Sequence, residues 1–155
     1  MRHFLLFSLV AFFALCAVPR TVQVRTRSRQ KQTTADMRAI AVAWEARATE
    51  IRSYSVGGHH HQQPAERITT ADLARALEPK YIRKLPRTDG WGTEFQFSTS
   101  DYEADGSAGT YIIRSLGSDA RADTVSNIAS GPTLNPADDL IYSNGSFVRY
   151  PDSAG

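Results

Sequence analysis

The feature that most constrains the fold is a stripe of apolar side chains between Thr33 and Ser53. The stripe repeats at three- and four-residue steps, the period of one helical face, and the opposite face is charged. Its members are Met37, Ile40, Ala41, Trp44, Ala48 and Ile51. A helix that is apolar on one side must pack on another element, most simply a small sheet. Thr33 or Thr34 is a candidate N-cap, although the helix could also extend upstream.

A second apolar segment precedes this helix. Phe4 to Val18 carries no charge, follows a short basic start and ends at Pro19. This length matches the core of a secretory signal, whereas a membrane-spanning helix needs about 20 apolar residues. We interpret residues 1–19 as a hydrophobic signal or anchor segment that contacts the membrane through residues 4–19. Cleavage near Ala17 and retention as a short anchor both remain open.

The single cysteine, Cys16, lies inside this apolar segment, so no intramolecular disulfide can form. Leu15 precedes it, and a small residue is usual before a lipid-attachment cysteine. Five basic side chains and no acid follow between Arg20 and Lys31. Such a stretch suits either a membrane surface or a solvated stalk. Residues 20–54 are therefore predicted to form a basic stalk and the amphipathic helix.

Residues 55–155 are predicted to form the globular domain. A loop with His59, His60 and His61 comes first, and a short capped helix begins at Thr69. The period then changes to two, which predicts strands. These lie around Phe95–Phe97, Thr110–Ser115, Leu140–Tyr142 and Phe147–Tyr150, with turns at Asp105-Gly106 and Asn144-Gly145. The predicted fold class is α+β, a long N-terminal helix packed on a small antiparallel sheet of three or four strands.

The motifs of common enzyme classes are missing. The sequence has no nucleophile-elbow serine, no phosphate-binding glycine loop and no dinucleotide fingerprint. Adjacent histidines on a loop rarely converge on one metal ion. The net charge of +2 does not indicate nucleic-acid binding. We therefore expect a protein that is not an enzyme and has no small-molecule substrate; a hydrolase using the acidic loop is a weaker hypothesis.

That acidic loop runs from Ser115 to Asp139 without a regular pattern. It offers the carboxylates of Asp119, Asp123, Asp138 and Asp139 together with loop carbonyls. Calcium prefers six to eight oxygen ligands of these kinds, and a bound cation would order so long a loop. A mobile acidic surface loop is the alternative.

Three motifs resemble the major pseudopilins of type II secretion systems, the protein G family. The segment Leu85–Phe97, with Asp89-Gly90-Trp91-Gly92, resembles the family's "LP-x-D-x-WG" signature. Tyr111–Asp119 is similar to its "SLG-x-D" strand and loop, and Asp138–Ile141 to the acidic element after it. The resemblance covers roughly residues 33–150.

The resemblance implies a pilin-like fold and a structural or assembly subunit of a type II protein secretion system. It also implies an inner-membrane anchor with the globular domain in the periplasm, or a periplasmic or secreted domain if the N-terminus is cleaved. Its partners would be other pseudopilin-like subunits or the secretion machinery. It further implies a calcium site formed by the Leu116 carbonyl and by Asp119, Asp138 and Asp139.

The apolar segment departs from the family pattern because it has neither the prepilin glycine nor the glutamate that docks subunits. The alternative function is therefore a membrane-anchored or periplasmic, calcium-stabilised binding module that no longer polymerises.

Overall fold

The structure of the chain, a computed structural model, describes residues 2–56, 66–102, 108–124 and 129–152, with the side chains of the first helix from Gln23 onward. The three histidines 59–61 and the turn at 105–106 lie outside the described residues. The helices are α1 (Arg2–Ile51) and α2 (Thr70–Leu77), and a short 3-10 turn spans Gly117–Asp119. The strands are β1 (Glu66–Ile68), β2 (Gln96–Tyr102), β3 (Ala108–Ser115), β4 (Gly131–Thr133), β5 (Leu140–Ser143) and β6 (Ser146–Pro151).

The first helix is continuous from Arg2 to Ile51, so the amphipathic helix does extend upstream of Thr33. Thr33 is not a cap. Its hydroxyl donates to the carbonyl of Arg29 at 2.8 Å and accepts from the amide of Gly90 at 2.9 Å. The helix ends at Ile51, and Arg52 follows in the left-handed region with φ of 57°.

The sheet has six strands in the order β1-β2-β3-β5-β6-β4. Neighbouring strands are antiparallel except β4, which pairs in parallel with β6. The α+β class is confirmed, but the sheet is larger than expected and mixed, so the prediction of a wholly antiparallel sheet was wrong. The two strands that the sequence missed, β1 and β4, are three residues long, too short to show an alternating pattern.

The predicted hairpin is confirmed between β5 and β6. Ser143 pairs with Ser146, and the two turn residues between them, Asn144 and Gly145, have φ of 46° and 84°. Positive φ at both central positions is the turn that matches the twist of the flanking strands. The short helix α2 is also confirmed, because the Thr69 hydroxyl accepts from the Asp72 amide at 3.1 Å.

The core lies between the apolar stripe of α1 and one face of the sheet. Trp44 is fully buried there, with its ring centroid 6.2 Å from that of Phe97 and 5.0 Å from that of Tyr111. Its indole N–H donates to the Tyr54 carbonyl at 3.0 Å. Burial of aromatic side chains dominates the stability of small cores, so this packing fixes α1 on the sheet.

Candidate cation site at the ends of strands β3 and β5

The topology brings the two halves of the acidic loop together. Ser115, the last residue of β3, pairs with Leu140, the first residue of β5. Leu116 and Asp139 are the next residues outward on each strand, so they leave the sheet at the same edge. Gly117 has φ of 65°, and a Cβ atom there would lie 2.6 Å from the Ala137 carbonyl oxygen. Only glycine fits this close approach.

Asp139 is the buried member of the predicted cation site. Its side chain is fully buried, and Oδ2 accepts from Arg114 Nε at 2.5 Å and from the Asp123 amide at 3.0 Å. Oδ1 is buried without a hydrogen-bond partner among the described residues. Burial raises the pKa of this carboxyl, and the hydrogen bond from Arg114 partly opposes that rise.

Asp138 lies at the margin of the same edge and is satisfied by polar neighbours. Its Oδ2 accepts from the Thr133 hydroxyl and from Arg149, both at 2.5 Å, and Oδ1 accepts from the side-chain Nδ2 of Asn135 at 2.7 Å. Burial disfavours its ionised form, but the hydrogen bond from Thr133 and the positive charge of Arg149 outweigh burial and lower the pKa.

Two arginines join these acids into a single cluster. Arg149 Nη1 donates to Asp123 Oδ2 at 2.9 Å, so this guanidinium bridges Asp123 and Asp138. Arg114 pairs with Asp139 and also donates to the Asp123 carbonyl at 2.7 Å. We call these five residues the arginine–aspartate clasp. Sequence analysis missed both arginines, because single basic residues inside strands give no motif.

Asp119 stands apart from the clasp. Its side chain is exposed at the end of the 3-10 turn, where Oδ1 accepts from the Arg121 amide at 3.0 Å. The structure therefore brings Leu116, Asp138 and Asp139 to one end of the sheet. Asp119 lies outside this group, and its side chain is not hydrogen-bonded to the aspartates of the clasp. In the described ranges, no group of three or more histidine, cysteine or acidic side chains has the arrangement of a metal site.

The first two of the three family-like motifs, Leu85–Phe97 and Tyr111–Asp119, meet at a second buried acid, Asp89. One carboxylate oxygen accepts from the amides of Trp91 and Thr93 at 3.0 and 2.9 Å. The other accepts from the Ser115 hydroxyl at 2.7 Å. Asp89 thus holds the turn that contains the half-buried Trp91 and ties that turn to the end of β3.

This turn is seated directly on α1. A Cβ atom on Gly90 would lie 2.4 Å from the carbonyl oxygen of Arg29, so the two backbones touch. The contact links the "D-G-W-G" turn to the start of the amphipathic part of the helix. The turn is therefore fixed against the helix by a backbone contact and by the hydrogen bond from the Gly90 amide to Thr33.

Among the residues that the structure describes, no helix is both long and apolar enough to cross a membrane. The chain matches no protein-family model, no curated protein and no solved structure.

Proposed function

We propose that this chain is a pseudopilin-like structural or assembly subunit of a type II protein secretion system, anchored by residues 4–19 with its globular domain in the periplasm. The observation that supports the proposal most directly is the Asp89–Ser115 hydrogen bond, because it joins two of the three sequence segments that resemble the family. The long helix lying across a sheet is the arrangement that the resemblance implies. A scaffold of this kind needs no catalytic group.

Assembly of subunits through the basic stalk, the N-terminal part of the helix that we call the stem, is the property that separates this proposal from its alternative. Val24 lies in the stem and is 67% exposed, whereas Leu134 follows the edge strand β4 and is 80% exposed. A filament in which stems pack side by side places Val24 near its counterpart in a neighbouring subunit. Leu134 then reports only random collisions.

The test is oxidative cross-linking in membranes with Cys16→Ser as the background. Val24→Cys is expected to give a ladder of dimers and higher multimers well above the level given by Leu134→Cys. Equal, weak cross-linking from both positions would contradict assembly. That result, together with a soluble mature form, would favour the binding module that no longer polymerises.

Calcium belongs to the same proposal. The unpartnered Oδ1 of Asp139 is the atom that best fits a cation, and the Leu116 carbonyl, Asp138 and Asp119 would supply further oxygens. Calcium would neutralise the excess of acid at this edge and hold the loop to the end of β3. The clasp already performs part of that task, because it pairs Asp138 and Asp139 with arginines.

Two aspartates distinguish calcium binding from simple structural pairing. At a calcium concentration about 100 times Kd, binding adds about 2.7 kcal/mol to stability and raises Tm. Asp119→Asn should abolish that rise yet leave Tm without calcium unchanged, because Asp119 contacts only a local amide. Asp139→Asn should lower Tm in both conditions. Calorimetry of the full chain in neutral detergent that shows no calcium effect would remove calcium from the proposal and leave assembly untouched.

A further inference from the structure

A cleft of about 460 Å³ lies between α1 and the end of β6, on the side of the helix away from the Asp89 turn. Its helical wall carries Arg27, Lys31 and Arg38. At 100° and 1.5 Å per residue, these three positions fall within about 40° of one another and span about 16 Å along the axis. They form a row of cations parallel to the helix.

The row is not a general property of the basic stalk. Arg25 and Arg29 belong to the same stretch, but each lies about 160° around the helix from Arg27. In the part of the chain that the structure describes, no carboxylate lies within ion-pair distance of Arg27, Lys31 or Arg38, although ion pairs do form elsewhere. The one acid that lines the cleft is Asp152, so its walls keep a net positive charge.

The opposite wall is aromatic. Phe147 and Tyr150 of β6 face the cleft, and Tyr150 is 40% exposed. The Arg38 guanidinium lies 5.0 Å from the centre of the Phe147 ring, which holds this cation between the two walls. The cleft therefore offers positive charge on one side and an apolar surface on the other along the same direction.

We propose that this cleft binds an extended segment of a partner protein in which acidic and apolar residues alternate. Successive side chains of an extended chain point to opposite sides, so such a segment directs carboxylates to the cation row and apolar side chains to Phe147 and Tyr150. At about 3.3 Å per residue, five residues cover the length of the row. Arginine clusters recognise acidic motifs through charge-assisted hydrogen bonds.

An extended segment fits these walls better than a lipid head group. A head group presents its phosphate charge at one point, whereas the cations of this cleft are spread along its length and are matched by an apolar wall. The inference does not depend on the assembly role, since either an assembling subunit or a lone binding module could use the cleft.

The test uses the full chain in neutral detergent micelles and a fluorescein-labelled hexapeptide with acidic residues at its first, third and fifth positions and apolar residues between them. Fluorescence anisotropy should show saturable binding that weakens as salt rises. Arg27→Gln/Lys31→Gln should weaken binding about tenfold or more. Tyr150→Ser should also weaken peptide binding, because part of the apolar wall is lost. The salt dependence of binding should stay the same, because the cation row is intact.

Two matched controls separate a built cleft from general charge attraction. Arg25→Gln/Arg29→Gln removes the same charge from another face of the stalk and should leave affinity within about twofold. A peptide of equal composition with its acidic residues in one block should bind several times more weakly.

The inference is overturned by a lack of saturable binding, by equal losses in the two double variants, or by equal binding of the block peptide. Phosphatidylglycerol vesicles give a further check. If Arg27 and Lys31 are needed for vesicle binding and not for peptide binding, the cation row serves a lipid surface and the inference fails.

Discussion

At the scale of single residues, two buried polar groups hold the helix and the sheet together. Asp89 accepts hydrogen bonds from two amides and one hydroxyl. Tyr111 is fully buried, and its hydroxyl donates to Glu45 of α1 in a very short hydrogen bond and accepts from the Gly145 amide. Each group satisfies polar atoms that would otherwise be buried without partners, so each position tolerates little change.

Replacement of Asp89 by asparagine should destabilise the domain by about 1–3 kcal/mol, because the two backbone hydrogen bonds lose their charge assistance and an N–H₂ group replaces the oxygen that accepts from Ser115. Urea unfolding followed by tryptophan fluorescence measures the loss. Asp119→Asn is the matched control, since that carboxylate is exposed, and it should change stability by less than about 0.5 kcal/mol. Equal effects of the two variants would show that the Asp89 turn does not contribute to stability.

Tyr111 predicts a loss of stability at alkaline pH. Burial and the hydrogen bond to Glu45 raise the pKa of this phenol far above its usual value near 10. A pKa raised by folding gives stability that is complete below the unfolded value and falls as pH rises above it. The folded chain should therefore lose stability steadily above about pH 10.

Tyr111→Phe should flatten that alkaline slope and should lower stability at neutral pH by about 1 kcal/mol through the lost hydrogen bond. Tyr150→Phe is the control, because Tyr150 is partly exposed on β6, and its slope should match the unaltered chain. Unfolding measured from pH 8 to 11 distinguishes the two. Part of the slope should remain, because burial also raises the pKa values of Tyr54 and Tyr142.

At the scale of elements, the described parts of the acidic loop are held by contacts with the neighbouring strands. Arg114 of β3 and Arg149 of β6 reach the loop from two sides, and the loop returns through β4, which pairs with β6. Asp123 and Asp139 also exchange backbone-to-carboxylate hydrogen bonds at 3.0 and 3.1 Å. The described parts of the loop thus follow the sheet edge because three of its carboxylates pair with arginines there.

Arg114→Met should destabilise the domain by about 3–5 kcal/mol, since Asp139 would be left buried without its cation. The double variant Arg114→Met/Asp139→Leu removes both charges and should recover much of that loss. Double-mutant analysis of urea unfolding measures the coupling. Additive losses in the double variant would contradict a paired role for these two residues.

At the scale of the whole molecule, one core joins α1, α2 and the sheet. Its buried members come from all three, including Trp44, Leu73 and Ile113, so the described side chains of these elements share one apolar cluster. The Gly90 contact and the Tyr111–Glu45 bond connect the same parts from two directions. A core shared in this way favours cooperative unfolding of the described globular part.

The fluorescence of Trp44, isolated by Trp91→Phe, should therefore report the same free energy of unfolding as amide exchange in β3 and β5. Coincident values follow because Trp44 packs directly on Phe97 and Tyr111. If the Trp44 fluorescence changes at a clearly lower urea concentration than the one at which β3 and β5 lose their protection from amide exchange, α1 detaches first. That result would contradict a single core.

The sequence by itself determined the elements whose signals are local. The helical stripe needs only its period, the Thr69 cap needs only the acid three residues later, and the Asn144-Gly145 turn needs only residues that accept positive φ. The periodicity of β3 was equally clear. That periodicity did not say which face of β3 meets the helix. The structure buries Tyr111 and Ile113, and Ile112 lies on the other face.

Only the tertiary structure decided which distant groups meet. The pairing of Ser115 with Leu140 brings Asp138 and Asp139 to the end of β3, and the order of the sheet places Arg149 beside them. The short strands β1 and β4, the clasp and the cleft beside β6 all depend on such contacts. Local propensity acts over a few residues, whereas burial and charge pairing depend on distances in space that a linear pattern does not contain.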